Sequence, residues 1–222
     1  MRKLLMVMAV IMAVVMAAGM ASAKLLGIKN YAGAVPDIYY DAGGTASYNA
    51  ENDLLKVNAW DYNLWLKKPG LAILINGNVS FYLEVGVDDN GNFTGTGKME
   101  EIVKNDFSFE WEGTIYSFTS GDTFLSGPVI AFGWDETTHK TFDYLLGKVS
   151  GKLVDDYGLW PTSPPTGGYV DLAEAFPSWN ESWSLIPTEK GDKYPTPEPT
   201  TLLLLGSGLI GLAGIGRKTL KR

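Results

Sequence analysis

Between Val79 and Val87 the chain alternates without a break. Val79, Phe81, Leu83, Val85 and Val87 share one side; Ser80, Tyr82, Glu84 and Gly86 share the other. A period of two marks a half-buried β-strand, because successive side chains point to opposite faces. Asp88-Asp89-Asn90-Gly91-Asn92 follows, and Asn-Gly is a strong hairpin-turn signal because both residues tolerate positive φ. A return strand is expected from Phe93 to about Val103. Phe107, Phe109, Trp111, Gly113 and Ile115 alternate again, with Glu110 and Glu112 outward. Ser120-Gly121-Asp122 reads as a turn and Pro128 to Trp134 as a short strand. Phe142 to Val154 reads as a strand bent at Gly147 and Gly151. Leu54 to Leu66 and Leu71 to Ile75 are further strand candidates, and Tyr169 to Phe176 is either a strand or a short helix. Trp160 to Gly168, with three prolines, reads as a loop. Short strands between Gly, Asn and Asp turns predict an all-β core: a single antiparallel β-sandwich or barrel-like domain.

The two ends of the chain are of another kind. Arg2 and Lys3 precede an uninterrupted apolar run from Leu4 to Ala18, Gly19 breaks it, and Ala21-Ser22-Ala23 forms an A-x-A site. This is the pattern of a secretory signal helix cut after Ala23, so the mature chain is expected to begin at Lys24. At the other end, Thr200 to Gly216 holds no charge, and Arg217, Lys218, Lys221 and Arg222 follow it directly. Such a span is at the lower limit for crossing a bilayer as a helix. The basic residues after it would keep that end cytoplasmic. Pro195, Pro197 and Pro199 stop a helix from running back into the core.

Pro197-Glu198-Pro199, the apolar span and the basic end together resemble the PEP-CTERM sorting signal, carried by substrates of exosortase, a membrane transpeptidase-like protease. The resemblance covers the tail from about Pro195 to Arg222. It implies Sec-dependent export in a Gram-negative bacterium, temporary retention in the inner membrane, processing near Pro197-Glu198-Pro199, and delivery to the cell surface or an exopolysaccharide matrix. No LPxTG-like motif points to a sortase, and no cysteine is present for a lipid anchor. The expected plan is a signal peptide over 1–23, a β-rich extracytoplasmic domain over 24–186, a Pro-rich stalk over 187–199, and a transmembrane helix with basic tail over 200–222.

Without its ends the chain is acidic. Residues 24–196 hold twelve Lys, no Arg and 24 acidic residues, a formal charge of −12. That surface should repel nucleic acid and anionic membranes. It calls for no cofactor; Ca²⁺, with its hard oxygen ligands, is the one ion it would suit. The absence of cysteine excludes disulfides, thiol catalysis and Cys-based zinc sites. About 170 residues are enough to bury a core without such staples.

Candidates for chemistry are few. His139 is the single histidine and lies in a polar turn, Asp135 to Lys140, with no G-x-S-x-G elbow elsewhere. A surface-loop histidine is expected. The doublets Asp88-Asp89, Glu100-Glu101, Asp135-Glu136 and Asp155-Asp156 do not make a glycosidase pair, because neighbours on a strand face opposite ways. Asp88, Asn90 and Asn92 mimic the first ligands of an EF-hand loop, but Phe93 stands where that loop needs Gly. All seven Trp lie in the core. Most should pack inside it. Trp160, Trp179 and Trp183, near Pro-rich loops, are the candidates for exposed stacking on sugar rings.

The expectation is a non-enzymatic surface or matrix protein of structural or polysaccharide-binding type, with exosortase, the Sec machinery and exopolysaccharide as partners. A secreted hydrolase or lyase would need a cleft with converging carboxylates. An ice-binding protein, a class that carries the same kind of tail, would need flat Thr arrays; Thr94-Gly95-Thr96 is the one T-x-T in the core.

Overall fold

Inward valines, leucines and phenylalanines at every second position must be buried, and here a sheet curls around them. The structure, a computed structural model, describes residues 25–28, 37–68, 71–76, 78–163, 165–185 and 188–196. The expected signal and membrane helices lie outside these residues. Among the described residues no helix is long and apolar enough to cross a membrane.

The strands are β1 (Asp37–Asn49), β2 (Leu54–Lys68), β3 (Leu71–Asn76), β4 (Val79–Val87), β5 (Phe93–Val103), β6 (Phe107–Trp111), β7 (Thr114–Phe118), β8 (Thr123–Trp134), β9 (Thr141–Leu146), β10 (Thr166–Leu172), β11 (Trp183–Leu185) and β12 (Thr188–Pro195). A single turn of helix, α1 (Lys152–Asp155), follows β9. Ten strands form one antiparallel sheet in the order β11-β1-β12-β10-β9-β8-β5-β4-β2-β3. The sheet curls through a half-barrel, and its ladder comes back to its start. β1 pairs β2 along one edge, and β12 then β11 along the other. Of the two expected architectures, the curled sheet is the barrel-like one. β6 and β7 form a separate hairpin.

The β4–β5 hairpin lies where the alternation places it. Val79, Phe81, Leu83, Val85 and Val87 are all at most 2% exposed. Burying side chains of this kind stabilises by roughly 1.5–3 kcal/mol each. Leu55 and Val57 of β2, Met99 and Val103 of β5, and Phe142, Tyr144 and Leu146 of β9 face the same interior.

Four expectations are corrected. The alternation from Phe107 to Ile115 is not one strand: it passes through a tight turn at Glu112 (φ 50°) and Gly113 (φ 74°) and returns as β7. The two-residue turn inverts the alternation: Tyr116 and Phe118 join Phe107 and Phe109 on one face, and Ile115, opposite Glu110, is left 68% exposed on the other. The expected strand over Phe142 to Val154 stops at Leu146, and Gly147 and Gly151 lead into α1 rather than bending a ladder. Of Tyr169 to Phe176 only the part up to Leu172 is strand: it belongs to β10, which takes in Thr166 to Gly168 from the expected loop, and Ala173 to Phe176 lies beyond the strand. The stalk expected over 187–199 holds β12, a strand paired to both β1 and β10.

Lys193 explains how so polar a segment enters a fold. Lys193 and Glu101 are both fully buried and form an ion pair at 2.7 Å, with the ammonium 4.6 Å from the centre of the Phe81 ring. β12 and β5 are separated by three strands in either direction around the ladder, so the pair crosses the interior. Glu100 faces outward instead and pairs with Lys98 at 3.0 Å. The two adjacent carboxylates do point to opposite faces.

Candidate functional site

Three places hold the residues that sequence reasoning singles out or misses: an aromatic pole under the β4–β5 turn, the outer face of the sheet, and the junction where β12 meets the sorting motif.

At the pole, Asp88 shapes the turn. Its carboxylate accepts the backbone N–H of Asn90 at 2.9 Å and of Asn92 at 2.8 Å, and the Asn92 side-chain amide at 3.1 Å. Burial raises this carboxyl, but the bonds from Asn92 and Asn90 outweigh it and hold it below the ordinary aspartate value. Its oxygens serve the hairpin turn. Among the described residues, no three carboxylates or imidazoles converge as metal ligands. Tyr48 donates to the Val87 carbonyl at 2.9 Å. Its phenol is pushed up to about 12, first by burial and then by the charges of Asp53 and Asp89.

Under that turn Phe176 lies 4.6 Å from Trp179 and 5.3 Å from Trp183, ring centre to ring centre, and Trp134 lies 5.7 Å from Trp179. The exposure expected of Trp160, Trp179 and Trp183 is not met, since they are 2%, 4% and 8% exposed. The Trp160 indole donates to Thr166 Oγ1 at 2.8 Å and that of Trp183 to the Ser178 carbonyl at 2.8 Å. Trp160 and Trp179 lie in loops that fold inward and Trp183 opens β11, because a large aromatic ring gains by burying its apolar area. The indole nitrogens of Trp134 and Trp179 are buried, find no acceptor among the described residues, and face Gly91.

His139 also belongs to this pole. It sits at φ 54°, its Nδ1 is 3.1 Å from the Phe176 carbonyl, and its ring stacks on Phe176 at 4.8 Å. Asp135 beside it is held below the usual aspartate range, chiefly by the Thr138 hydroxyl and the Thr137 N–H. His139 thus lies in the turn between β8 and β9 as expected, but its ring is partly buried against Phe176 rather than free at the surface.

The outer face carries two open dents. One of about 260 Å³ is lined by Leu54, Glu84, Gly86, Thr96, Gly97 and Lys98. The other, of about 330 Å³, lies between Tyr48, Asn52, Lys56 and Ser182. Neither brings two carboxylates together. Thr94 and Thr96 fold over Gly86 with their hydroxyls 3.4 Å apart. On β6–β7, Phe109 stacks on Tyr116 at 5.2 Å, and these rings and Trp111 are half-buried against the core.

The junction was not legible in the sequence. Thr196 ends the described core, its N–H and hydroxyl both donating to the Pro165 carbonyl at 2.7 and 3.0 Å. Beside it lies the segment that follows the expected signal cut. The Asp143 carboxylate accepts the backbone N–H of Leu26 at 2.9 Å and of Ile28 at 3.1 Å, and Tyr194 donates its hydroxyl to the Ile28 carbonyl. Burial pushes the Asp143 carboxyl up, against these backbone bonds. Ala21, Ala23, Pro197, Glu198, Pro199 and the basic residues Arg217, Lys218, Lys221 and Arg222 lie outside the described residues.

Residues 195–218 match the family of the PEP-CTERM protein-sorting motif. The chain carries a PEP-CTERM sorting signal. Its match begins at the last residue of β12, so sorting signal and folded core adjoin without a spacer. Comparison with characterised proteins and with solved structures finds no match for the core.

Proposed function

We propose that the chain is an exported precursor, tethered to the inner membrane and released by exosortase to the surface or exopolysaccharide matrix of a Gram-negative bacterium, where its β-domain has a structural, non-enzymatic role. The observation that carries this reading is the PEP-CTERM motif over residues 195–218, directly after the core. The aromatic residues support the structural role: Trp134, Trp160, Trp179 and Trp183 all serve the interior. The rings of Phe109, Trp111 and Tyr116 on β6–β7 offer the surface for contact with polysaccharide.

Glu198→Ala tests the sorting step. The variant should accumulate in the envelope fraction with its C-terminus still at Arg222, while the parent is shortened. Equal shortening of both would remove Glu198 from the processing signal.

A further inference from the structure

In β9, Phe142, Tyr144 and Leu146 face the interior, yet Thr141, Asp143 and Leu145 on the other face are buried as well. An outer strand face of a curled sheet is normally wet. Here Leu145, Tyr169 and Tyr194 form a second apolar cluster on that outer face, and Ile28 completes it. The segment Leu25 to Ile28 therefore lies over β9, β10 and β12 as a strap. Its two ends of attachment differ in kind. The backbone is held by the Asp143 carboxylate, and the Ile28 carbonyl by Tyr194 of β12.

The strap also reaches the exit point of the chain. A methyl group on Gly167 would lie 2.4 Å from Thr196 Cγ2 and 2.8 Å from Ile28 Cγ2. Ile28 and Thr196 thus meet over that glycine. Lys24 is four residues before Ile28, a reach of at most about 14 Å. Pro197 directly follows Thr196. Chain length alone thus bounds how far either expected cut can lie from that glycine.

We propose that Leu25–Ile28, seated on Asp143, is a strap that clamps the C-terminal strand β12 and gathers the two processing points of the precursor at one pole of the domain. While the C-terminal apolar span remains attached, that pole is held near the membrane, because only Pro197 to Pro199 separate Thr196 from the uncharged span. After both cuts, the strap is what keeps β12, now the last element, from fraying out of its place between β1 and β10. The statement about the two cuts rests on the sorting reading above; the clamp rests on the geometry alone.

Hydrogen exchange followed by mass spectrometry tests the clamp in the protein purified from its host, as parent, Asp143→Ala and Ile28→Gly. Both variants should speed exchange over 188–196 by about tenfold or more, as local opening would, with the β4–β5 hairpin unchanged. Asp143 is deeply buried, so Asp143→Ala alone could loosen the whole sheet; Ile28→Gly removes only the strap's side chain and decides. Unchanged exchange over 188–196 in Ile28→Gly overturns the clamp. The intact masses of the same samples report the two cuts separately, so a failure of sorting is not confused with a failure of the strap.

Discussion

Lys193→Met is expected to destabilise the core by about 3–5 kcal/mol, the cost of leaving one charge of a buried pair without its partner. Glu101 is fully buried and its carboxylate sits 2.7 Å from the Lys193 ammonium. With Met in place of Lys, the carboxylate loses its counter-charge in the interior. A buried charge without a partner is unfavourable. The double variant Lys193→Met, Glu101→Leu removes both charges and keeps the volume filled. It should recover most of the loss and could exceed the parent, since apolar replacement of a buried pair is often neutral or stabilising. Urea denaturation of the three proteins checks this. Equal losses in the single and double variants would show that β12 depends on Lys193 for something other than its charge.

Gly91→Ala is expected to be nearly as damaging, by about 2–5 kcal/mol, for two reasons that add. Gly91 has φ +80°, where a Cβ costs roughly 1–2 kcal/mol. That Cβ would also lie 2.4 Å from the Trp134 indole nitrogen and 2.7 Å from that of Trp179. Both rings are wedged in the aromatic pole, and forcing them apart costs about 1–3 kcal/mol more. Gly121→Ala is the control. Its φ is +94° but a Cβ there meets nothing within 4 Å, so it should lose only the backbone share. A Gly91→Ala loss no larger than that of Gly121→Ala would mean that the indoles yield, and that the turn does not rest on them.

The parts of the fold that sequence reasoning reaches are those whose signal is local. The β4–β5 hairpin needs only the alternation from Val79 and the turn from Asp88 to Asn92, and its bounds agree with the structure. β12 could not be read this way. Lys190, Asp192 and Lys193 look like a solvated stalk until Glu101 is brought across the interior, and nothing near Lys193 in the chain announces that partner. The same holds for Asp143, whose role depends on the backbone of Leu26 and Ile28, far away in sequence. Trp160, Trp179 and Trp183 were misplaced for a related reason. Proline nearby marks a loop but not the direction in which its side chains turn. The sorting signal was legible in full, because all three of its parts are contiguous and each has its own composition.

The most direct test of the account is the intact mass of the protein in the envelope and in the medium of its native host. The account predicts a mature species that begins at Lys24 and ends close to Pro197, with β12 complete. A species that begins at Lys24 but still ends at Arg222 in every fraction would contradict it, and would make the chain a membrane-anchored domain that is never released.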